Sequence, residues 1–116
     1  IINLKVRLMY WKEIPVQVQA TKDSETQSLP LDSRFQEAVD AISMMEGSYG
    51  SDEYLDAWEW GEYFEMPGEL DDVLNSVVDR YNKGMPQNFV AQLRDLHTNG
   101  SRTPSAGSID GWIKSN

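Results

Sequence analysis

The chain has no cysteine and a single histidine, His97. The first absence removes disulfides, thiolate metal sites, iron–sulfur ligation and cysteine nucleophiles, and it fits a reducing compartment. No apolar run approaches the roughly 20 residues of a membrane-spanning helix, and no signal-peptide pattern opens the chain, so no membrane insertion is expected. No glycine-rich loop joins a strand-like to a helix-like segment, which leaves phosphate cradling without support. The most telling absence is of positive charge. Between Arg34 and Arg80 there is no lysine or arginine, while thirteen acids fall there. Nucleic acid and anionic membranes call for clustered basic residues, so neither is expected as a partner.

What is present describes an ordinary globular chain of 116 residues, 40% hydrophobic and 25% charged, with a net charge of −9. Residues 1–34 carry five basic residues against four acids, and residues 80–116 five against two. The middle of the chain therefore holds all of the negative excess. One domain over residues 1–100 is expected, followed by an extended tail over 101–116. The first residue is Ile1, consistent with a trimmed chain or a processed mature form. The expected location is the bacterial cytoplasm, or the plastid stroma as a processed chain.

Apolar residues fall on even positions from Ile2 to Tyr10 and again at Ile14, Val16, Val18 and Ala20. Period two over this length predicts two half-buried strands. A two-residue loop at Lys12-Glu13 would pair Trp11 with Ile14 and split the apolar face, so a loop of three or five residues is expected. Pro15 cannot donate to a ladder and belongs in that loop or on an edge. Residues 21–31 read as a polar loop. A helix capped by Asp32 or Ser33 follows, with Phe35, Ala38, Val39, Ile42 and Met45 inward. A second helix opens at Ser51-Asp52-Glu53. Leu70, Val73, Leu74, Val77, Val78 and Tyr81 form the cleanest helical stripe, and Phe89, Val90, Leu93 and Leu96 mark a last helix after Pro86. The fold class is α+β, an antiparallel hairpin covered by three or four helices with a loop-like tail in which Ile109, Trp112 and Ile113 could dock.

The stretch YLDAWEWGEYFE (Tyr54 to Glu65) combines five aromatics with four acids and no basic residue. Read as a helix, it sets Tyr54, Leu55 and Trp58 on a core-facing side. Trp60, Tyr63 and Phe64 then form a second stripe. Either the helix breaks near Gly61, or that stripe faces the tail, a second copy or another protein. Trp11 either caps the core end of the hairpin or is a contact residue at an exposed tip formed by Lys12 and Glu13. Asp52, Asp56 and Glu59 could hold a hydrated cation weakly, but a solvated acidic face is the favoured reading, and the spacing does not fit a calcium loop. His97, near the end of the last helix, suits a capping cation there. No cofactor or catalytic constellation is expected, since nothing marks a carboxylate as buried with a raised pKa.

Three motifs occur in order: YWKEIPVQVQA (Tyr10 to Ala20), LDSRFQEAVDA (Leu31 to Ala41) and GSDEYLDAWEWG (Gly50 to Gly61). Together they resemble the small virulence-factor domain family, over roughly residues 4–62. The later GMPQNFVAQLR (Gly84 to Arg94) is similar to longer members of cyanobacterial and plastid type. The resemblance implies no biochemical activity and no catalytic residues. This chain departs from it at EWGEYFE (Glu59 to Glu65), where other members tend to continue with basic residues.

The function expected is that of an acidic, non-enzymatic protein-interaction module, such as a peripheral subunit or an assembly or scaffold factor. Its partner would be a protein with a basic surface. Candidate contacts are Trp11, Lys12, Glu13, Asp52, Asp56, Glu59, Trp60, Tyr63, Phe64 and Trp112. The alternative is a small-molecule or cation binder, or an enzyme, using clustered carboxylates. A homodimer joined through a hairpin edge is a third reading.

Overall fold

The computed structural model describes residues 3–114. Strands β1 (Asn3–Trp11), β2 (Ile14–Lys22) and β3 (Glu25–Pro30) form a meander, followed by helices α1 (Ser33–Glu46) and α2 (Asp52–Asp56). Short strands β4 (Trp58–Trp60) and β5 (Phe64–Pro67), helices α3 (Leu70–Gly84) and α4 (Phe89–Asn99), and a 3-10 turn (Asp110–Trp112) complete the chain. The sheet runs β3-β2-β1, and β4 and β5 both pair antiparallel with the outer side of β1. The fold is α+β, with the N-terminal hairpin at the centre of its sheet.

The even-numbered alternation buries Leu4, Val6, Leu8, Tyr10, Val18 and Ala20 in one core with Phe35, Val39, Ile42, Val73, Leu74, Val77 and Leu93. Asn3 and Lys5, the odd positions between, are exposed. One sheet face is therefore apolar and covered, as a two-layer α+β domain requires. Arg34 ties α1 to the end of α3. Its guanidinium donates to the carbonyls of Asn82 (2.6 Å), Met85 (3.0 Å) and Pro86 (3.2 Å), where the helix dipole favours a cation.

Several expectations are corrected. The β1–β2 loop has two residues, Lys12 and Glu13, because Trp11 does pair with Ile14. The apolar face survives because of a β-bulge. Tyr10 pairs with Pro15 but Met9 with Gln17, so Val16 is the extra residue that restores even-to-even pairing at Leu8 and Val18. Pro15 lies neither in the loop nor on an outer strand: it pairs with Tyr10 in β2, beside that bulge, where a strand tolerates proline. Residues 21–31 are not a loop. β2 continues to Lys22, a tight turn follows at Asp23-Ser24, and β3 runs along β2 to Pro30. The helix expected through Trp60 stops at Asp56, because residues 58–60 pair with Met9 to Trp11. Trp58 and Trp60 therefore follow a strand's period of two, and do not lie on opposite sides of a helix.

Candidate functional site

Three features gather near the hairpin end, and the tail joins two of them. The first is a charged cluster around the turn. Glu13 is fully buried, with side-chain exposure of 0%, and Arg102 of the tail is 6% exposed. Their pairing is two-pronged, Arg102 Nε to Glu13 Oε2 at 2.6 Å and Nη2 to Oε1 at 2.7 Å. Arg102 Nη1 also donates to Glu46 Oε2 at 2.7 Å, and lies 3.4 Å from His97 Nδ1. The other Glu46 oxygen accepts from Lys12 Nζ and Ser48 Oγ, both at 2.6 Å. Burial alone would push the Glu46 carboxyl up, but these donors outweigh it and hold it below its ordinary value. Burial likewise opposes the Arg102 charge, and its hydrogen bonds to the carboxylates of Glu13 and Glu46 more than restore it. Every oxygen of Glu13 and Glu46 thus has a donor, and this cluster ties the tail to the hairpin.

The expected exposed tip is corrected accordingly. Trp11 is buried, with its indole N–H donating to the Tyr54 carbonyl at 2.9 Å and the Tyr54 ring 5.7 Å away. Glu13 has no surface to offer a partner, and Lys12 is held between Glu46 and Glu53.

The second feature is a cleft of about 350 Å³ lying on Leu8, Tyr10 and Tyr81 beneath the loop Gly61 to Phe64. Gly61 is required there. Its N–H donates to the Leu8 carbonyl at 2.8 Å, and a Cβ would stand 2.7 Å from Cε1 of Tyr10. Asp110 of the tail closes the cleft. Its Oδ2 accepts from the hydroxyls of Tyr10 (2.6 Å) and Tyr81 (2.8 Å). Burial, followed by the Asp110 carboxylate, raises both tyrosines above the usual phenol range.

The third feature is the acidic, aromatic surface from α2 to β5. Asp52, Asp56, Glu59 and Glu62 are exposed, and among the described residues no lysine or arginine pairs with them. Leu55 and Tyr63 are exposed beside them at 64% and 51%. Trp58 is half-buried and edge-on to Tyr54, at the border of the core. Trp60 is half-buried under Arg7, whose guanidinium lies 4.0 Å over its ring and 4.7 Å over that of Tyr63. Phe64 is half-buried, packs on the core and lines the cleft, and Trp112 is half-buried in the tail. Asp52, Asp56 and Glu59 do not share a helical face, because Glu59 lies on β4. The described residues contain no group of three or more metal-ligating side chains placed for an ion.

Sequence reasoning missed Arg102, Glu46, Asp110 and the Tyr10–Tyr81 pair. The signals were slight: an arginine in a polar tail, and a tyrosine closing an otherwise aliphatic alternation.

The virulence factor family model matches residues 9–94. The chain belongs to that family. The match takes in the hairpin end, α1 to α3 and most of α4, and stops before Arg102 and Asp110, so both tail contacts lie outside it. Among curated proteins and among solved structures, none matches this virulence factor family member.

Proposed function

We propose that the protein is an acidic, non-enzymatic interaction module that binds a protein partner with a basic surface, as a peripheral subunit or assembly factor of a larger complex. The observation that carries this reading is the exposure of Asp52, Asp56, Glu59 and Glu62 without a paired cation among the described residues, next to exposed Leu55 and Tyr63. Uncancelled like charges repel one another in the free domain, and a basic partner relieves that repulsion. Complementary charge also speeds encounter and makes it sensitive to salt. Apolar groups beside the acids supply the area that charge alone does not. The carboxylates of Glu13 and Glu46 are already engaged, which argues against their use as acid or base. A cytoplasmic or stromal setting belongs to the same proposal, as does the absence of a nucleic-acid partner. No helix among the described residues is long and apolar enough to cross a membrane.

Affinity capture from the native source tests the reading, with the wild-type chain compared against Asp56→Asn/Glu59→Gln. The captured protein should associate more slowly as salt rises, and more slowly still with the variant. A captured partner indifferent to both would overturn it.

Self-association is a second reading, favoured by one observation. Strand β3 pairs with β2 alone, which leaves its outer backbone groups open to another strand. A monomeric mass by light scattering across concentrations would remove it.

A further inference from the structure

We propose that the corner between α1 and α2 docks a basic amphipathic helix of a partner protein. The inference rests on the reading of the acidic surface as a docking site for a basic protein, and it names the form that partner takes. Four large hydrophobic residues stand exposed among the described residues, and three of them fall at this corner: Met44 on α1 (62%), Tyr49 in the connection (51%) and Leu55 on α2 (64%). The Tyr49 ring stands 5.5 Å from that of Tyr54, which is edge-on to Trp58 at 6.3 Å. The Tyr49 N–H donates to the carbonyl of Ser43, the residue before Met44. Burial, followed by the nearby Asp40 and Tyr49, raises the Tyr54 phenol above its ordinary value. The aromatic row therefore adjoins the outer stripe of α1, on which Asp40 and Met44 lie one turn apart. Exposed apolar groups gathered in this way mark interaction sites, and methionine adapts to the shape of what docks.

Two observations define the occupant. The first is charge. Glu37 and Asp40 on α1, and Asp52 and Asp56 on α2, form no ion pair among the described residues. Lys12, close by, is already held between Glu46 and Glu53. Complementarity therefore calls for lysine or arginine on the partner, and it disfavours nucleic acid and anionic lipid. The second is the backbone. The corner offers side chains and no strand edge, because α1 and α2 pair their backbones internally and the N–H groups of Ser48, Tyr49 and Ser51 donate to the carbonyls of Ser43 and Ser48. An extended peptide finds no ladder to join there. A helix satisfies its own backbone and presents an apolar stripe between basic flanks.

The test titrates the full chain into two fluorescent leucine–lysine peptides of identical composition and follows their anisotropy. In one, leucines recur at i, i+3, i+4 and i+7; in the other, their order leaves no apolar face. The patterned peptide should bind about tenfold tighter and should shift the amide NMR signals of Met44, Tyr49 and Leu55. Met44→Ser/Leu55→Ser, at exposed positions, should erase that preference and leave the salt-sensitive binding that both peptides share. Leu55→Ser alone decides the matter if the double variant does not fold. Asp52→Asn/Asp56→Asn should weaken both peptides alike. Equal binding of the two peptides overturns the helix and leaves the basic-partner reading standing, since that reading is decided by the salt response of a captured native partner. A preference that survives Met44→Ser/Leu55→Ser places the helix elsewhere and overturns the site, and binding of neither peptide overturns it as well. A mass that grows with concentration in wild type but not in Leu55→Ser assigns the corner to a second copy, which also overturns the proposal.

Discussion

Glu13 and Glu46 differ from Asp56 and Glu59 in everything except charge. Glu13 lies out of water and Glu46 is only slightly exposed, both against Arg102 and Lys12, with donors at 2.6 to 2.7 Å on all four oxygens. The second pair stands in solvent and forms no ion pair among the described residues. Removing a partner from the buried set leaves a charge where water cannot solvate it, whereas removing an exposed acid relieves repulsion. The lesson is that carboxylates close together on this fold play opposite parts. Glu13 and Glu46 build the hairpin end and anchor the tail, and Asp56 and Glu59 stand exposed without a paired lysine or arginine among the described residues.

The largest break in this comparison comes from Arg102→Met. It strands Glu13 in the interior and should cost about 3–5 kcal/mol in urea unfolding. Adding Glu13→Leu should recover most of that loss, because an apolar pair of similar volume needs no solvation. A loss unchanged by the second substitution would locate the damage in packing. Next is Gly84→Ala, at the other end of the tail. A Cβ there collides with Ile113 and comes within 2.9 Å of the Lys114 carbonyl. The substitution should lower the thermal midpoint and raise amide exchange at Lys114, whose N–H donates to the Gly84 carbonyl. Exchange at Lys114 as slow as in wild type would contradict it.

The hairpin-end cluster and the cleft tyrosines respond to pH in opposite directions. Glu46 titrates below its ordinary value of 4.5, so its contribution is complete above that pH and is lost as pH falls through the lower folded value. Tyr10 and Tyr81 behave in the opposite sense. They keep their protons above the ordinary value of 10.0, so their contribution is complete below pH 10 and is lost as pH rises beyond it. Phenolate absorbance in a pH titration should show two of the five tyrosines silent until the chain unfolds. Early titration of all five would contradict the Asp110 triad.

Much of the fold was legible because it is local. The period-two run placed Val6 and Val18 in the core, where both are fully buried, and helical stripes located α1, α3 and α4. The failures share a cause, which is pairing with distant chain. The bulge at Val16 could not be read from alternation, since Ile14, Val16 and Val18 continue the even-numbered apolar run straight across it while the pairing phase shifts by one residue. β3 is an edge strand with polar residues on both faces, so period two is absent from it. Trp58 to Trp60 carry a helical spacing that pairing with β1 overrides. At the candidate site, the aromatics and exposed acids were visible. The burial of Glu13 was not, because it depends on an arginine 89 residues away.

The smallest expected effect bears most directly on the central claim, that the exposed acids of α2 and β4 are free of structural duty. Urea unfolding of Asp56→Asn/Glu59→Gln at low salt measures it. The variant should match wild type within about 0.5 kcal/mol, or exceed it as repulsion is relieved. A loss above about 1 kcal/mol would show that these carboxylates hold the fold together, and the contrast with Glu13 and Glu46 would then fall.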